Sequence, residues 1–331
     1  MSIKIRKPGL LSTIQDLGRY GAQKYGIIVG GAMDPFALRI ANILVGNNEK
    51  EAGIEVTMFG LEIEFLDEHL IAITGADLDA RIDGEKAPTW RPILIRKHQV
   101  LKFHAPISGT RAYIAFSGGI NVPKILGSKS TYIQAGIGGY KGRQLQTGDV
   151  LNIGDETVIG KMFVRQLKNM NAQFKWAVNY TPFYSFETEQ TIHVLKGSEF
   201  DWFDEKSKHL FLNESYKISI HSNRMGYNLE GKRLSLRKGV ELLSEGVTFG
   251  TIQVPSGGLP IILMAERQTT GGYPKIAQVA SFDLPRLAQL QPGDSIRFKL
   301  ISLRQAEQWL IKQMNYLKTI KMAILLKSKS I

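Results

Sequence analysis

Short segments in which apolar and polar residues alternate recur along the chain. Leu61–Phe65, residues 216–220 and residues 296–300 each carry an apolar side chain at every second position. Successive side chains of a strand point to opposite faces, so this period predicts strands with one buried face. The apolar runs 71–73 and 261–264 predict strands covered on both faces. With frequent glycine and proline between them, these segments predict a mainly β protein built from short strands.

Two segments have the apolar spacing of helices. Residues 35–44 follow Asp34, a suitable N-cap, and begin with Pro35, which is favoured at the first helical position. From Arg304 to about Lys321, apolar residues again recur at helical spacing, which predicts a basic C-terminal helix with a frayed end. Packing on the protein body is the favoured interpretation of this helix, and contact with a membrane surface is the alternative.

The length of the chain, 331 residues, favours two domains over one. Residues 55–63 align with residues 245–253 with few identities, as expected if a β domain had been duplicated. We therefore predict an N-terminal domain at residues 1–165, a C-terminal domain at residues 166–303, and a basic helix or tail at residues 304–331.

Composition and charge narrow the function classes. The formal charge is +12, but the basic residues are concentrated in the tail or scattered, so no nucleic-acid surface is predicted. The absence of cysteine excludes disulfides, thiolate catalysis and cysteine-bearing metal sites. No signal peptide pattern and no apolar stretch long enough to span a bilayer are present, so we expect a cytoplasmic protein without a membrane segment.

Common cofactor motifs are not matched. Gly154 and the pair Gly160-Lys161 lack both the spacing and the hydroxyl residue of a phosphate loop, so no ATP site is predicted in this chain. The six histidines are dispersed, and none forms the i, i+4 pair of a helical zinc site. We therefore predict that the chain itself binds no metal and no cofactor.

The first segment of chemical interest follows the strand predicted at 216–220. It contains Asn223, Arg224, Met225 and Gly226. Asparagine and arginine at a strand end offer fixed donors to a carboxylate-like anion. A structural turn, with Arg224 paired at the surface, explains the same residues equally well.

The second segment of interest follows the apolar run 261–264. It includes amide, hydroxyl, glycine and aromatic residues in immediate succession: Gln268, Thr269, Thr270, Gly271, Gly272 and Tyr273. Such a loop can bring backbone N–H groups close to a ligand. The competing interpretation is a glycine turn beneath a polar rim. Both segments lie in the same half of the chain, so we expect them to face one cleft.

Residues 222–226, 243–255 and 268–274 resemble the signature sequences of the biotin-dependent carboxyltransferase-like family, also called allophanate hydrolase subunit 2. Residues 8–19 and 31–38 extend this resemblance into the N-terminal half. The resemblance implies two tandem cyclophilin-like β-barrel domains with short helices. It also implies a non-autonomous subunit of an ATP-dependent 5-oxoprolinase, which converts 5-oxoproline to glutamate and works with an A-type subunit of the lactam-utilisation family and a B-type subunit.

Two other functions are compatible with the resemblance. The chain would be a regulator that binds a kinase-inhibitor homologue of the B type without turnover, or a carboxyltransferase acting on urea or another amide. ATP and Mg²⁺ would be used by the assembled 5-oxoprolinase, whereas biotin, carried by another chain, would be needed only by the carboxyltransferase.

Residue types within the family motifs suggest individual roles. Arg224 and Asn223 would hold the substrate carboxylate or an acyl phosphate, and Glu245 and Glu266 are candidate general bases. The full set of expected substrate-binding residues is Asn223, Arg224, Met225, Gly226, Gln253, Gln268, Thr269, Thr270, Gly271, Gly272 and Tyr273. A role in structure or in partner contact is expected for Gln15, Asp16 and Arg19.

Overall fold

The alternating segments form strands in the computed structural model of the chain, which describes residues 1–170, 173–237 and 242–329. Leu61–Phe65 is a strand in which buried apolar residues alternate with half-buried glutamates. Strands also cover most of the segments predicted near Tyr216 and Ile296, and both apolar runs. The prediction of a mainly β protein with short helices and a C-terminal helix is therefore confirmed.

The chain divides into two compact units that interleave along the sequence. Unit 1 comprises Met1–Arg19, Asp34–Pro182 and Met314–Ile331, and unit 2 comprises Tyr20–Met33 and Phe183–Gln313. The predicted domains, by contrast, follow one another along the chain without interleaving. The difference arises because Tyr20–Met33 belongs to the unit that is otherwise built from Phe183–Gln313, and because the C-terminal segment Met314–Ile331 belongs to unit 1.

Unit 1 contains two antiparallel sheets that share one apolar core. The strands described in this unit are β1 (Ser2–Pro8), β2 (Leu11–Gln15), β3 (Gly53–Thr57), β4 (Leu61–Phe65), β5 (His69–Asp77), β6 (Ala80–Ile82), β7 (Glu85–Lys86), β8 (Pro92–Ile95), β9 (Val100–Phe103), β10 (Ser108–Phe116) and β11 (Val150–Asn152). One sheet has the strand order β11-β1-β4-β9-β6-β7, and the other has the order β2-β3-β10-β5-β8. Residues from both sheets, such as Ile5 and Ile114, belong to the same buried cluster.

Two α-helices lie wholly within the described residues of unit 1. Helix α1 (Pro35–Leu44) begins as predicted, because the Asp34 carboxylate accepts a hydrogen bond from the Ala37 N–H at 2.9 Å. Helix α2 (Val158–Met170) was not predicted by the sequence patterns. It buries Phe163 and Leu167, which are four residues apart and therefore lie on one face of the helix.

Unit 2 is built around a closed barrel of seven strands. The strands described are β12 (Glu189–Lys196), β13 (Tyr216–Ile218), β14 (Gly226–Glu230), β15 (Glu245–Gly246), β16 (Thr251–Gln253), β17 (Ile261–Leu263), β18 (Thr270–Gly271), β19 (Lys275–Val279) and β20 (Ser295–Leu300). The order around the barrel is β12-β19-β16-β17-β14-β13-β20, and parallel pairing of β12 with β20 closes the ring. A separate two-stranded ladder joins β15 to β18. The helices are α3 (Glu205–Asn213) and α4 (Leu284–Ala288).

The C-terminal helix α5 spans Leu303–Lys329 and is longer than predicted. Its buried residues include Leu317, Ile320 and Ile324, whose spacing places them on one face. Residues 330–331 of the predicted tail lie outside the described residues. Within the part of the chain that the structure describes, no helix is both long enough and apolar enough to cross a membrane.

Candidate functional site

Neighbouring strands of the unit 2 barrel bring the two predicted motifs together. Strand β17 lies between β14 and β16, with Leu263 paired to Gly226 and Ile261 paired to Gln253. Asn223 stands just before β14, and the loop containing Gln268 follows β17. The ladder pairing therefore places the start of β14 beside the end of β17, where the loop begins, and the end of β16 beside the start of β17.

A cavity of about 160 Å³ lies where these elements meet. It is lined by Asn223, Met225, Gly226, Asn228, Gln253, Ile261, Leu263, Gln268 and Tyr273. Four of these residues carry carboxamides, and none of them has an ionisable group other than the phenol of Tyr273. Each carboxamide offers both N–H donors and a C=O acceptor. The lining is therefore suited to a small neutral ligand that itself has a donor and an acceptor, such as an amide.

The loop before β14 holds Asn223 by local hydrogen bonds. The Oδ1 atom of Asn223 accepts a hydrogen bond from the Met225 N–H at 2.7 Å, and the Asn223 N–H donates to the Gly226 carbonyl at 3.0 Å. This pattern is a turn in which an asparagine side chain replaces a backbone acceptor. The turn interpretation and the binding interpretation are thus compatible, because the same turn places Asn223 in the cavity wall.

The carboxamide of Gln253 is fixed from two sides. Gln253 is buried, and its Nε2 atom lies 3.4 Å from the Tyr273 carbonyl, a long contact. On the other side, Gly271 packs so closely that a Cβ atom there would overlap with the Gln253 carboxamide. Glycine at position 271 therefore leaves the space that the Gln253 side chain occupies.

The remaining residues of the second motif form the support of the cavity. Strand β18, Thr270–Gly271, pairs with Glu245–Gly246 of β15, and the Thr269 carbonyl accepts a hydrogen bond from the Val247 N–H at 3.1 Å. Neither Thr269, Thr270, Gly271 nor Gly272 lines the cavity.

Arg224 and Glu266 form a buried ion pair outside the cavity lining. The Arg224 Nε atom donates to the Glu266 carboxylate at 2.7 Å, and its Nη2 atom donates to the Gly31 carbonyl at 2.7 Å. Both side chains are less than a tenth exposed. The guanidinium of Arg224 and the carboxylate of Glu266 thus pair with each other, and neither of these two expected site residues lines the cavity.

Glu245, the other expected general base, is exposed on β15. Its carboxylate forms an ion pair with Lys275 at 3.1 Å, and the same lysine pairs with Glu199 at 3.1 Å. Glu245 does not line the cavity. The structure thus brings Asn223, Gln253 and Gln268 together and leaves both glutamates outside this group.

The N-terminal motif residues are buried within unit 1. The Asp16 carboxylate accepts hydrogen bonds from the Ser128 hydroxyl at 2.7 Å and the Lys129 N–H at 2.6 Å. Arg19 is fully buried and donates to the Ile125 carbonyl at 2.9 Å. Burial lowers the pKa of Arg19, although the nearby Asp16 carboxylate opposes this shift.

The third residue of the N-terminal motif, Gln15, is also held by hydrogen bonds in the interior. Gln15, like Arg19, is fully buried, and its Nε2 atom donates to the Thr13 hydroxyl at 3.0 Å. Hydrogen bonds with Gln15, Asp16 and Arg19 anchor the segment from Ile125 to Thr131. The expected role of these residues in structure or in partner contact stays a prediction.

The structure adds Asn228 to the candidate site and places Arg267 next to Gln268 in the chain, outside the cavity lining. Asn228 lies two positions after Gly226 on β14, so both residues face the cavity. Alternation along β14 is the sequence signal that predicts the position of Asn228, because residues two apart in a strand lie on the same face. Arg267 is buried beside Gln268 and donates long hydrogen bonds to the Val247 carbonyl at 3.3 Å and the Met264 carbonyl at 3.4 Å. Burial lowers the pKa of Arg267.

Among the described residues, no group of three or more histidine, aspartate and glutamate side chains is arranged to hold a metal ion.

Comparisons with known proteins place this geometry in a family context. The model of the carboxyltransferase domain, subdomain A and B, matches residues 25–300. The chain is 40% identical over 304 residues to the C-type subunit of 5-oxoprolinase from Escherichia coli (strain K12), covering 92% of this chain and 93% of that protein. It is 36% identical over 310 residues to the C-type subunit of 5-oxoprolinase from Haemophilus influenzae, covering 94% of each.

A solved structure is similar over almost the whole chain. The crystal structure of the K. lactis urea amidolyase superposes with a TM-score of 0.86 at 28% identity. The match covers 96% of this chain but only 20% of the urea amidolyase chain. This chain therefore corresponds to about one fifth of that larger protein.

Proposed function

Because this chain belongs to the carboxyltransferase domain family, subdomain A and B, we propose that it is the C-type subunit of an ATP-dependent 5-oxoprolinase complex. The complex would open the ring amide of 5-oxoproline to give glutamate, with an A-type and a B-type subunit as partners. The two relatives named as C-type subunits of 5-oxoprolinase support this proposal, since each aligns over more than nine-tenths of this chain.

The amide-lined cavity of unit 2 is the observation that carries the proposal. 5-Oxoproline contains a five-membered ring in which one N–H and one C=O lie on the same edge. Carboxamides can donate to that C=O and accept from that N–H, and four of them line the cavity. A volume of about 160 Å³ also suits one small ring, because an engineered cavity of about 150 Å³ in another protein holds benzene.

The role assigned to this chain is binding and orientation of the ring amide. An N–H donated by Gln253 or Gln268 to the ring oxygen would stabilise the negative charge that grows there when the amide is attacked. Neither Glu245 nor Glu266 lines the cavity, so we assign no proton transfer to them. ATP binding and supply of the attacking group belong to the partner subunits in this proposal.

Substitution of Gln268 tests the proposal. Gln268 is exposed, so Gln268→Ala should fold normally while losing one hydrogen bond to the ligand. One such bond contributes about 0.5–1.5 kcal/mol, so we expect KM for 5-oxoproline to rise about 2- to 10-fold. The measurement is ATP hydrolysis by the complex reconstituted with A-type and B-type subunits, as 5-oxoproline is titrated.

The matched control is Gln308→Ala, which removes an exposed glutamine of α5 far along the chain from both motifs. It should leave KM unchanged. ATP hydrolysis by the wild-type complex that does not respond to 5-oxoproline would reject the proposed function. A normal response together with an unchanged KM in Gln268→Ala would reject the cavity as the binding site.

A carboxyltransferase acting on urea or another amide is the second candidate. It is favoured by the structural similarity to the K. lactis urea amidolyase. The ureido ring of biotin is also a cyclic group with N–H and C=O, so Asn223, Asn228, Gln253 and Gln268 fit it equally well; biotin on another chain would supply a carried carboxyl group. Activity that requires bicarbonate and is blocked by avidin would favour this candidate over the 5-oxoprolinase.

A further inference from the structure

Among the described residues of unit 2, two arginines are at least nine-tenths buried, and they differ in how their charge is balanced. Arg224 is 6% exposed and forms an ion pair with Glu266 at 2.7 Å. Arg267 is 9% exposed, and within residues 1–170, 173–237 and 242–329 no carboxylate pairs with it. The phenol of Tyr20 is the ionisable neighbour that perturbs it. Arg267 is therefore a buried cation without a countercharge among the described residues.

The contacts of Arg267 offset only part of the free-energy cost of removing its charged guanidinium from water. Its Nε and Nη1 atoms reach the Val247 and Met264 carbonyls at 3.3 and 3.4 Å, which is long for a hydrogen bond from a guanidinium. Its Cζ atom lies 6.0 Å from the centre of the Phe249 ring, at the outer limit of a cation–π contact. The Nη2 atom makes no hydrogen bond within the described residues. Because arginine keeps its proton, such a site remains favourable to an added anion.

The position of Arg267 connects this charge with the amide-lined cavity. Its Cα atom is about 3.8 Å from that of Gln268, because consecutive Cα atoms are separated by that distance. Gln268 lines the cavity, whose lining contains no cationic residue. 5-Oxoproline carries a carboxylate on the carbon next to its ring nitrogen. A site that recognises the ring amide through the cavity thus needs a cation close by.

We propose that Arg267, rather than Arg224, binds the carboxylate of the ligand whose ring amide occupies the cavity. This inference rests on the proposed function and specifies its ligand class, a cyclic amide bearing a carboxylate. The Nη2 group would donate to the carboxylate, and Gln268 would contact the ring amide. In this arrangement Glu266 would support the loop through its ion pair with Arg224. Arg267 would bind the carboxylate of the ligand, and Gln268 would bind its ring amide.

A pair of related ligands separates charge recognition from structural support. 5-Oxoproline and 2-pyrrolidinone share the ring amide, but 2-pyrrolidinone lacks the carboxylate. In the reconstituted complex, Arg267→Met should raise KM for 5-oxoproline about 10- to 100-fold, as expected for loss of a charged hydrogen bond. The inhibition constant of 2-pyrrolidinone, measured in the same assay, should stay within about 2-fold of wild type. Arg267→Lys, which keeps the charge, should recover part of the loss.

The control for loss of positive charge is Arg304→Met, which changes an exposed arginine at the start of α5 and should leave both constants unchanged. If Arg267→Met does not fold, the comparison is made with Arg267→Lys, which should weaken 5-oxoproline selectively. An unchanged KM, or equal weakening of both ligands, would overturn the carboxylate site while the proposed function stands. A wild-type complex that does not respond to 5-oxoproline would overturn both.

Discussion

The ion pair between Arg224 and Glu266 links the two motifs at the level of single residues. Besides the side-chain contact at 2.7 Å, the Glu266 N–H donates to the Arg224 carbonyl at 2.8 Å, and the Met264 N–H donates to the Met225 carbonyl at 2.9 Å. These bonds tie the segment before β14 to the segment after β17. The pair therefore supports the positions of Asn223 and Gln268 without touching the cavity.

Glu266→Ala should destabilise unit 2 strongly, because it leaves the buried Arg224 guanidinium without its countercharge. Breaking a buried ion pair in this way costs about 3–5 kcal/mol, so the free energy of unfolding should fall by that amount. Replacement of both partners by apolar residues, Arg224→Met with Glu266→Leu, should recover much of the loss. Urea unfolding of the three chains measures the difference. Equal stability of Glu266→Ala and wild type would contradict a structural role for the pair.

Residue types in the motifs indicated the site, but they did not assign the individual roles. Asn223, Gln253 and Gln268 were expected to bind substrate and do line the cavity. Arg224 and Arg267 have the same side chain in neighbouring motifs, and only the fold decides which of them faces Glu266. That choice depends on a contact between residues 42 positions apart, which local sequence cannot reveal.

At the level of elements, local patterns predicted what depends on local physics. The N-cap Asp34 and the proline after it predicted the start of α1, and strict alternation predicted β4. Helix α2 gives a weak sequence signal because it buries few apolar side chains, and it crosses the domain boundary predicted between residues 165 and 166. The parallel pairing of β12 with β20 was beyond prediction, because closure of the barrel joins strands from opposite ends of unit 2.

An ion pair between Arg143 and Asp149 supports the attachment of β11 to β1. The Asp149 carboxylate accepts two hydrogen bonds from the Arg143 guanidinium, both at 2.8 Å, and the Asp149 carbonyl accepts one from the Ile5 N–H at 2.8 Å. The hydrogen bonds from Arg143 hold the pKa of Asp149 below its ordinary value, although burial opposes this shift. The ionised carboxylate is thus the form that the folded state stabilises.

Asp149→Asn should therefore change the acid dependence of stability. A carboxyl with a depressed pKa in the folded state contributes stability above its ordinary pKa of about 3.9, and this contribution is lost as the pH falls through the folded value. The variant should be less stable than wild type at pH 7, and the difference should shrink below about pH 4. Urea unfolding at pH 7 and at pH 3 measures it. A difference in the free energy of unfolding that is the same at pH 7 and at pH 3 would contradict this role of the Arg143–Asp149 ion pair.

At the level of the whole molecule, sequence length and repeat predicted two β domains, whereas the interleaving of the two units was not predicted. Each unit has its own apolar core. Met33, from the segment Tyr20–Met33, is fully buried in the core of unit 2, and the Gly31 carbonyl binds Arg224 there. The segment Tyr20–Met33 contacts residues that are far away in the sequence, such as Arg224, which is 193 positions from Gly31. The apolar pattern of the segment itself is compatible with either unit, so the local sequence does not predict which unit it joins.

In the proposed function, the amide-lined cavity of unit 2 binds the ring amide of 5-oxoproline in the assembled complex. Two glycines of the β15–β18 ladder provide a matched test. A Cβ atom at Gly271 would overlap with the Gln253 carboxamide, whereas a Cβ atom at Gly246 would meet no atom within 4 Å. Neither backbone has the positive φ that would strain an alanine.

The most direct measurement is KM for 5-oxoproline in ATP hydrolysis by complexes that contain Gly271→Ala or Gly246→Ala. Displacement of the Gln253 carboxamide should raise KM about 10-fold in Gly271→Ala, since at least one hydrogen bond to the ring amide is lost or misaligned. Gly246→Ala should have the KM of wild type. Identical KM values in both variants and in wild type would show that the cavity beside Gln253 does not bind the ring amide.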